Sequence, residues 1–227
     1  MSPERYLRIN QMLDKRQPDL TVIMENVHKN HNLSAVVRSA DAVGVHEIHA
    51  VWLTKKARLS GGTALGSQNW VKIHNHKSMD DAISTVREQG MQVVVTHLSE
   101  HSVDFRDIDY TKPTAILLGQ EKYGVTEQAL AQADHHVMIP MVGMVQSLNV
   151  SVAGAVMFYE AQRQRELAGM YQSPQISAQE RHRVLFEGGH PIYAKACKRK
   201  GIDYPELDDG GQIIANDSWW QAMREKR

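Results

Sequence analysis

The run from Ile139 to Ala153, IPMVGMVQSLNVSVA, carries the side chains best placed for chemistry. An apolar strand end breaks at Pro140, passes through a Gly- and Met-containing loop and reaches Ser147, where an amphipathic helix opens. Leu148, Val152, Ala155, Val156 and Tyr159 then recur at the spacing of one helical face. Ser147 and Asn149 sit where loop becomes helix, and a helix start offers free backbone N–H groups. A polar side chain there can orient a ligand or cap the helix, and for Ser147 both readings stay open. Two further motifs combine polar and glycine residues: Asn32-Leu-Ser-Ala35-Val-Val-Arg38 after the first apolar run, and Leu117-Leu118-Gly119-Gln-Glu121-Lys-Tyr-Gly124 at the end of the fifth. Asn32 reads equally as a helix N-cap, and Glu121 as a solvent-facing residue after a strand.

Other chemistries find less support. The stretch from Arg58 to Gln68, RLSGGTALGSQ, reads as a loop or short helix, but it lacks the Gly-Lys-Ser/Thr ending of a phosphate-binding loop. No G-x-G-x-x-G follows a strand, which removes a dinucleotide fingerprint. The 12 histidines show no metal-ligand spacing, His28/His31 and His135/His136 lacking confirming partners, so no metal is expected. Cys197 is the lone cysteine, which excludes an intrachain disulfide and a Cys-based metal site.

Alternating strands and helices must position these motifs. Apolar, β-branched runs fall at Thr21–Val27, Glu47–Leu53, Trp70–His74, Met91–Leu98, Thr114–Gly119 and Val137–Pro140. Helical patterns lie at Leu33–Val43, Ser78–Gln89, Thr126–Ala133 and Leu148–Glu166, with Gly90 a natural C-cap and Thr126 a plausible N-cap. Such alternation predicts an α/β fold, a mostly parallel sheet flanked by helices on both faces. Ligands of such sheets bind beyond the carboxyl ends of the strands.

The 227 residues suffice for one sizeable domain with additions, and 42% hydrophobic with 23% charged residues is ordinary for a globular protein. Apolar runs are too short for a membrane span, and the polar N-terminus has no signal-peptide core, so a cytoplasmic place is expected. Net charge is zero but unevenly spread. Residues 80–140 carry ten acidic against four basic side chains, and residues 160–200 eight basic against four acidic. Basic ends can attract a polyanion, or can simply be solvated helix faces. Three segments follow: a basic helical segment at 1–19, a core at 20–168 and a helical extension at 169–227. The extension is small for a core of its own, so Trp219 and Trp220 are expected to anchor it against the core or a partner.

Taken in order, the three motifs resemble those of the SpoU/TrmH group within the SPOUT class of RNA ribose methyltransferases, over roughly residues 4 to 171. The neighbouring stretches RQPDLTV, ADAVGV, DFRDIDYTKPT and YEAQRQR add to the similarity. The resemblance implies a six-stranded sheet whose C-terminal segment threads a loop as a deep trefoil knot, a rare exception to the rules of chain connection. It implies S-adenosylmethionine bound by Thr96, His97, Leu98, Gly119, Glu121, Ile139, Pro140, Met141, Ser147, Leu148 and Asn149. The implied reaction is 2′-O-ribose methylation of guanosine-18 in the tRNA D-loop, with Arg38 catalytic and Asn32, Glu121, Ser147 and Asn149 around it. Arg38 is proposed for the family as general base. Arg holds its proton so firmly that stabilising the developing alkoxide is the physically easier role. Asn30 stands where relatives frequently have Pro, which bears on the stiffness of that loop.

The resemblance further implies a homodimer, and the helix after Ser147 is apolar around much of its circumference, at Val150, Val152, Ala153, Val156, Met157 and Phe158. The implied RNA contacts are Arg5, Arg8, Arg16, His31, Arg163 and Arg165. Two alternatives stand beside the tRNA enzyme. One is a ribosomal-RNA ribose methyltransferase of the same group, which often carries an N-terminal RNA-binding domain that a core starting near residue 20 leaves no room for. The other is an inactive RNA-binding or folding helper, against which the joint presence of Asn32, Arg38, Glu121, Ser147 and Asn149 speaks.

Overall fold

The computed structural model describes residues 1–27, 29–52, 66–120 and 123–225. In chain order the elements begin with α1 (Pro3–Leu13), β1 (Leu20–Glu25), α2 (Asn30–Ala42), β2 (Glu47–Val51), β3 (Lys72–His76), α3 (Met79–Glu88) and β4 (Gln92–Thr96). There follow β5 (Val103–Asp104), β6 (Thr114–Leu118), α4 (Glu127–Leu130), β7 (His135–Met138) and α5 (Val150–Leu167). The chain closes with α6 (Ala178–Gly189), α7 (Pro191–Lys200), β8 (Glu206–Leu207), β9 (Ile213–Ile214) and α8 (Asp217–Arg224). Two compact units result, Gln17–Tyr171 and a second made of Met1–Arg16 with Gln172–Arg227.

The first unit is built on a parallel sheet in the order β3-β2-β1-β6-β4-β7-β5. Seven strands stand where six were expected. The added one, β5, is two residues long and pairs with β7, too short to leave a periodic signal. β1 and β6 are buried along their whole length, as strands covered on both faces must be. Successive side chains point to opposite faces. Leu20, Val22, Met24, Ile116 and Leu118 therefore pack in one cluster with Leu33, Val36, Met157 and Phe158 of α2 and α5. Ile23, Leu117, Val93 and Val95 pack in the other with Ile83 and Val86 of α3 and Leu130 of α4. α3 starts where Ser78 accepts from the Asp81 N–H and ends before Gly90, whose φ of +76° suits glycine. The Gly-rich stretch expected as a loop falls at 58–65 outside the described residues, while Ser67–Asn69 form a 3₁₀ turn.

In the second unit, Phe186, Ala194, Cys197 and Trp219 form a core with Tyr193, Tyr204 and Trp220 packed against it. The tail thus assembles a core of its own, where it was expected to be too small for one, and both tryptophans pack in it. Tyr193 meets both indoles, at ring-centroid distances of 5.7 and 5.6 Å. The N-terminal helix belongs to the same unit: Arg181 donates to Asn10 at 2.7 Å and pairs with Asp14. None of the described helices is long and apolar enough to cross a membrane.

Candidate active site

Because the sheet is parallel, β6, β4 and β7 end at one edge as neighbours, and the chain leaving each of them lines a single cavity. Thr96, His97 and Leu98 come from the end of β4; Gly119, Gln120, Gly124 and Val125 follow β6. Val137, Met138, Ile139 and Met141 come from β7 and beyond; Gln146, Ser147, Leu148, Val150 and Ala153 lead into α5. Eight of the residues expected at the cofactor are in this lining: Thr96, His97, Leu98, Gly119, Ile139, Met141, Ser147 and Leu148. Pro140 and Asn149 are not, and Glu121 lies outside the described residues. Gly124, which closes the second motif, lines the cavity too, and so do Gln120, Val125 and Gln146, which the sequence did not single out. Their signal was adjacency, since each sits within a few residues of a motif position.

The turn after β6 is tightly closed. Gln120 and Gly124 exchange backbone hydrogen bonds of 2.8 and 2.9 Å, and Gly124 takes a φ of +67°. A Cβ on Gly119 would lie 2.3 Å from the Gly124 carbonyl carbon and 2.5 Å from the Val125 nitrogen, so only glycine fits there.

Both cap readings are corrected by the geometry. α5 is capped by Asn149, not Ser147: its Oδ1 accepts from the Ser151 N–H at 2.8 Å and from the Ser151 hydroxyl at 2.7 Å. Ser147 is exposed and lines the cavity. α2 starts at Asn30 with Lys29 as the capping position, which puts Asn32 inside the first turn. There Asn32 meets the third motif, as Asn149 Nδ2 donates to Asn32 Oδ1 at 3.2 Å. Asn32 is buried and its own Nδ2 has no hydrogen-bond partner among the described residues. Arg38, further along α2, is exposed, lacks a side-chain partner among the described residues and does not line the cavity.

The expected RNA-contacting cations divide by burial. Arg5, Arg8, His31 and Arg163 are exposed. Arg5 also donates to the Gly188 carbonyl at 2.9 Å. Arg163 holds Glu160 through two hydrogen bonds of 2.7 and 2.9 Å, which keep the Glu160 carboxyl below its usual range. Arg16 and Arg165 are wholly buried, and neither offers its charge to a polyanion. Arg16 directs its Nε to the Met12 sulfur, one helical turn back, at 2.9 Å. Arg165 pairs with Asp19 and donates to Gln17 at 3.1 Å and to the carbonyls of Tyr110 and Lys112 at 2.9 and 3.1 Å.

A family model described as the SpoU rRNA Methylase family matches residues 19–159, and its C-terminal companion matches residues 163–216. The chain is 55% identical to a tRNA (guanosine(18)-2′-O)-methyltransferase of Escherichia coli strain K12, over 99% of each protein. It superposes on the crystal structure of the Aquifex aeolicus TrmH/SpoU tRNA modifying enzyme with a TM-score of 0.78, at 43% identity over 83% of this chain and 96% of that one. The SpoU methyltransferase AviRb of Streptomyces viridochromogenes, solved in complex with the cofactor AdoMet, matches with a TM-score of 0.60 and 29% identity, over 67% of this chain and 62% of that one.

Proposed function

The chain belongs to the SpoU rRNA methylase family, and from that membership we propose that it methylates the ribose 2′-hydroxyl of guanosine-18 in the D-loop of tRNA, using S-adenosylmethionine. The observation that carries this reading is the joint one of near-full-length identity to a tRNA (guanosine(18)-2′-O)-methyltransferase and a cavity lined by the family's motif segments. The cavity suits that cofactor. Leu98, Val125, Ile139 and Leu148 offer apolar walls to an adenine, while Thr96, Gln146 and Ser147 offer hydrogen bonds to ribose and amino-acid groups. Among the described residues its lining holds no Lys or Arg to repel a sulfonium. When bound, S-adenosylmethionine supplies an activated methyl group for in-line displacement.

The protein's own part is alignment and charge. Asn149 ties the start of α5 to α2 through Asn32, fixing two motif segments relative to each other, and alignment alone can supply several kcal/mol of a barrier. Arg38, without a side-chain partner among the described residues, is available to the oxygen that gains charge as the 2′-hydroxyl loses its proton, or to the adjacent phosphate. Arg5, Arg8, His31 and Arg163 are the exposed cations we assign to tRNA phosphates. The trefoil knot of this family belongs to the same reading.

A homodimer is part of the proposal. Val142, Met144 and Val145 after β7, and Val152 and Tyr159 on α5, are exposed together on one stretch of chain, as an unpaired interface requires. Sedimentation as a monomer at micromolar concentration would count against it. A cytoplasmic place follows from the substrate, since that is where tRNA is modified.

Incubating the protein with labelled S-adenosylmethionine and separate tRNA and ribosomal-RNA pools tests the function. Label confined to a tRNA D-loop guanosine supports it; label confined to ribosomal RNA, or none at all, overturns it. Gly119→Ala tests the site: its Cβ must push the 120–125 turn aside, so cofactor affinity should fall by about tenfold or more in calorimetry. Gly143→Ala, whose Cβ meets nothing within 4 Å, should bind as the parent does.

A further inference from the structure

Glu25, the last residue of β1, is 2% exposed, a depth at which a carboxylate needs dedicated donors. Both of its oxygens find them on one residue far along the chain. Oε2 accepts from the Thr126 backbone N–H at 2.9 Å, and Oε1 accepts from the Thr126 hydroxyl at 2.7 Å. Thr126 is the residue before α4, and its hydroxyl makes no capping bond to its own helix, so its side chain is committed to Glu25.

The position of this tie is what gives it a consequence. Gly124 and Val125, immediately before Thr126, line the cavity, and the loop that contains them leaves β6 at Gly119. Met24 pairs with Leu118 across the sheet, so Glu25 stands beside the point where that loop departs. The loop is held at its start by β6, in its middle by the Gln120–Gly124 backbone pair, and at its far end by Glu25. Glu25 itself does not line the cavity.

We propose that Glu25 is a positioning residue for the cofactor: by clamping Thr126 it sets Gly124 and Val125 against the bound ligand. This rests on the S-adenosylmethionine reading above. The clamp acts through two hydrogen bonds to a charged acceptor, and a charged acceptor makes each of them stronger than a neutral pair.

The test measures S-adenosylmethionine affinity by calorimetry, together with amide hydrogen exchange at Thr126, in the parent and four variants. Glu25→Ala should weaken cofactor binding by about tenfold and release the Thr126 amide from protection, with or without cofactor present. Thr126→Val should weaken binding by about threefold or more, and Thr126→Ser, which restores the hydroxyl, should stay within about twofold of the parent. The double variant Glu25→Ala/Thr126→Val should bind no more weakly than Glu25→Ala alone, because both changes remove the same tie. KM for tRNA should move by less than about twofold in all of them. Should Glu25→Ala fail to fold, the contrast between Thr126→Val and Thr126→Ser decides. Parent-like binding by Thr126→Val, no rescue by Thr126→Ser, or effects that multiply in the double variant would each overturn the proposal. A parent that binds no S-adenosylmethionine overturns instead the cofactor reading on which the proposal rests.

Discussion

Arg38→Ala should lower the rate of methyl transfer by about 10²–10³-fold, the usual loss when a group that stabilises charge in the transition state is removed. The same change should leave stability within about 0.5 kcal/mol of the parent, because Arg38 is exposed and makes no side-chain hydrogen bond or ion pair among the described residues. Cofactor affinity should also be kept, since Arg38 does not line the cavity. Few residues offer so clean a separation of function from fold. Single-turnover methylation of tRNA, beside a urea titration and calorimetry, reads all three quantities. Near-normal methylation by the variant would remove Arg38 from the mechanism.

Arg165→Ala should have the opposite profile. Its guanidinium is fully buried in a web that includes Asp19, Gln17 and the carbonyls of Tyr110 and Lys112. Removing it takes the partner from Asp19, whose side chain is 31% exposed, and the donor from the Tyr110 carbonyl, while the Lys112 carbonyl keeps the Thr114 hydroxyl. Breaking a fully buried pair costs about 3–5 kcal/mol, and the part-exposed carboxylate puts this loss at the low end. The urea midpoint should drop accordingly, and at temperatures where the variant stays folded the salt dependence of tRNA binding should be unchanged. Arg163→Ala should alter stability far less, since its guanidinium is exposed and Glu160 keeps a second donor in Gln164, and should reduce the salt slope by about one unit if it meets a phosphate. A large loss of stability from Arg163→Ala, with none from Arg165→Ala, would contradict the assignment.

The contrast between these two arginines marks where the sequence stops being legible. In YEAQRQR both look alike, yet two residues apart on a helix means opposite sides, and only the packing of α5 says which side is buried. The sheet and its main helices were readable because their signals are local. Continuous apolar runs marked β1 and β6, and the Ser78 and Gly90 boundaries marked α3. Helix starts were less so: the cap of α5 is Asn149 and not Ser147, because the backbone conformation at the boundary, which residue type does not dictate, sets the position. β5 pairs through two residues and left no pattern. The motif segments were all visible, but their meeting depends on β4 lying between β6 and β7, an order the chain sequence does not state. The clamp from Glu25 to Thr126 was equally hidden, since nothing in either residue's surroundings signals a partner 101 residues away in the chain.

The central claim is that three separated stretches of chain enclose one methyl donor. A crystal structure with S-adenosylhomocysteine bound tests it most directly. The account predicts the nucleoside in the cavity between Thr96–Leu98, the Gly119–Val125 turn, and the chain from Ile139 to Leu148. Ligand bound on any other surface, with that cavity empty at saturating concentration, would contradict it.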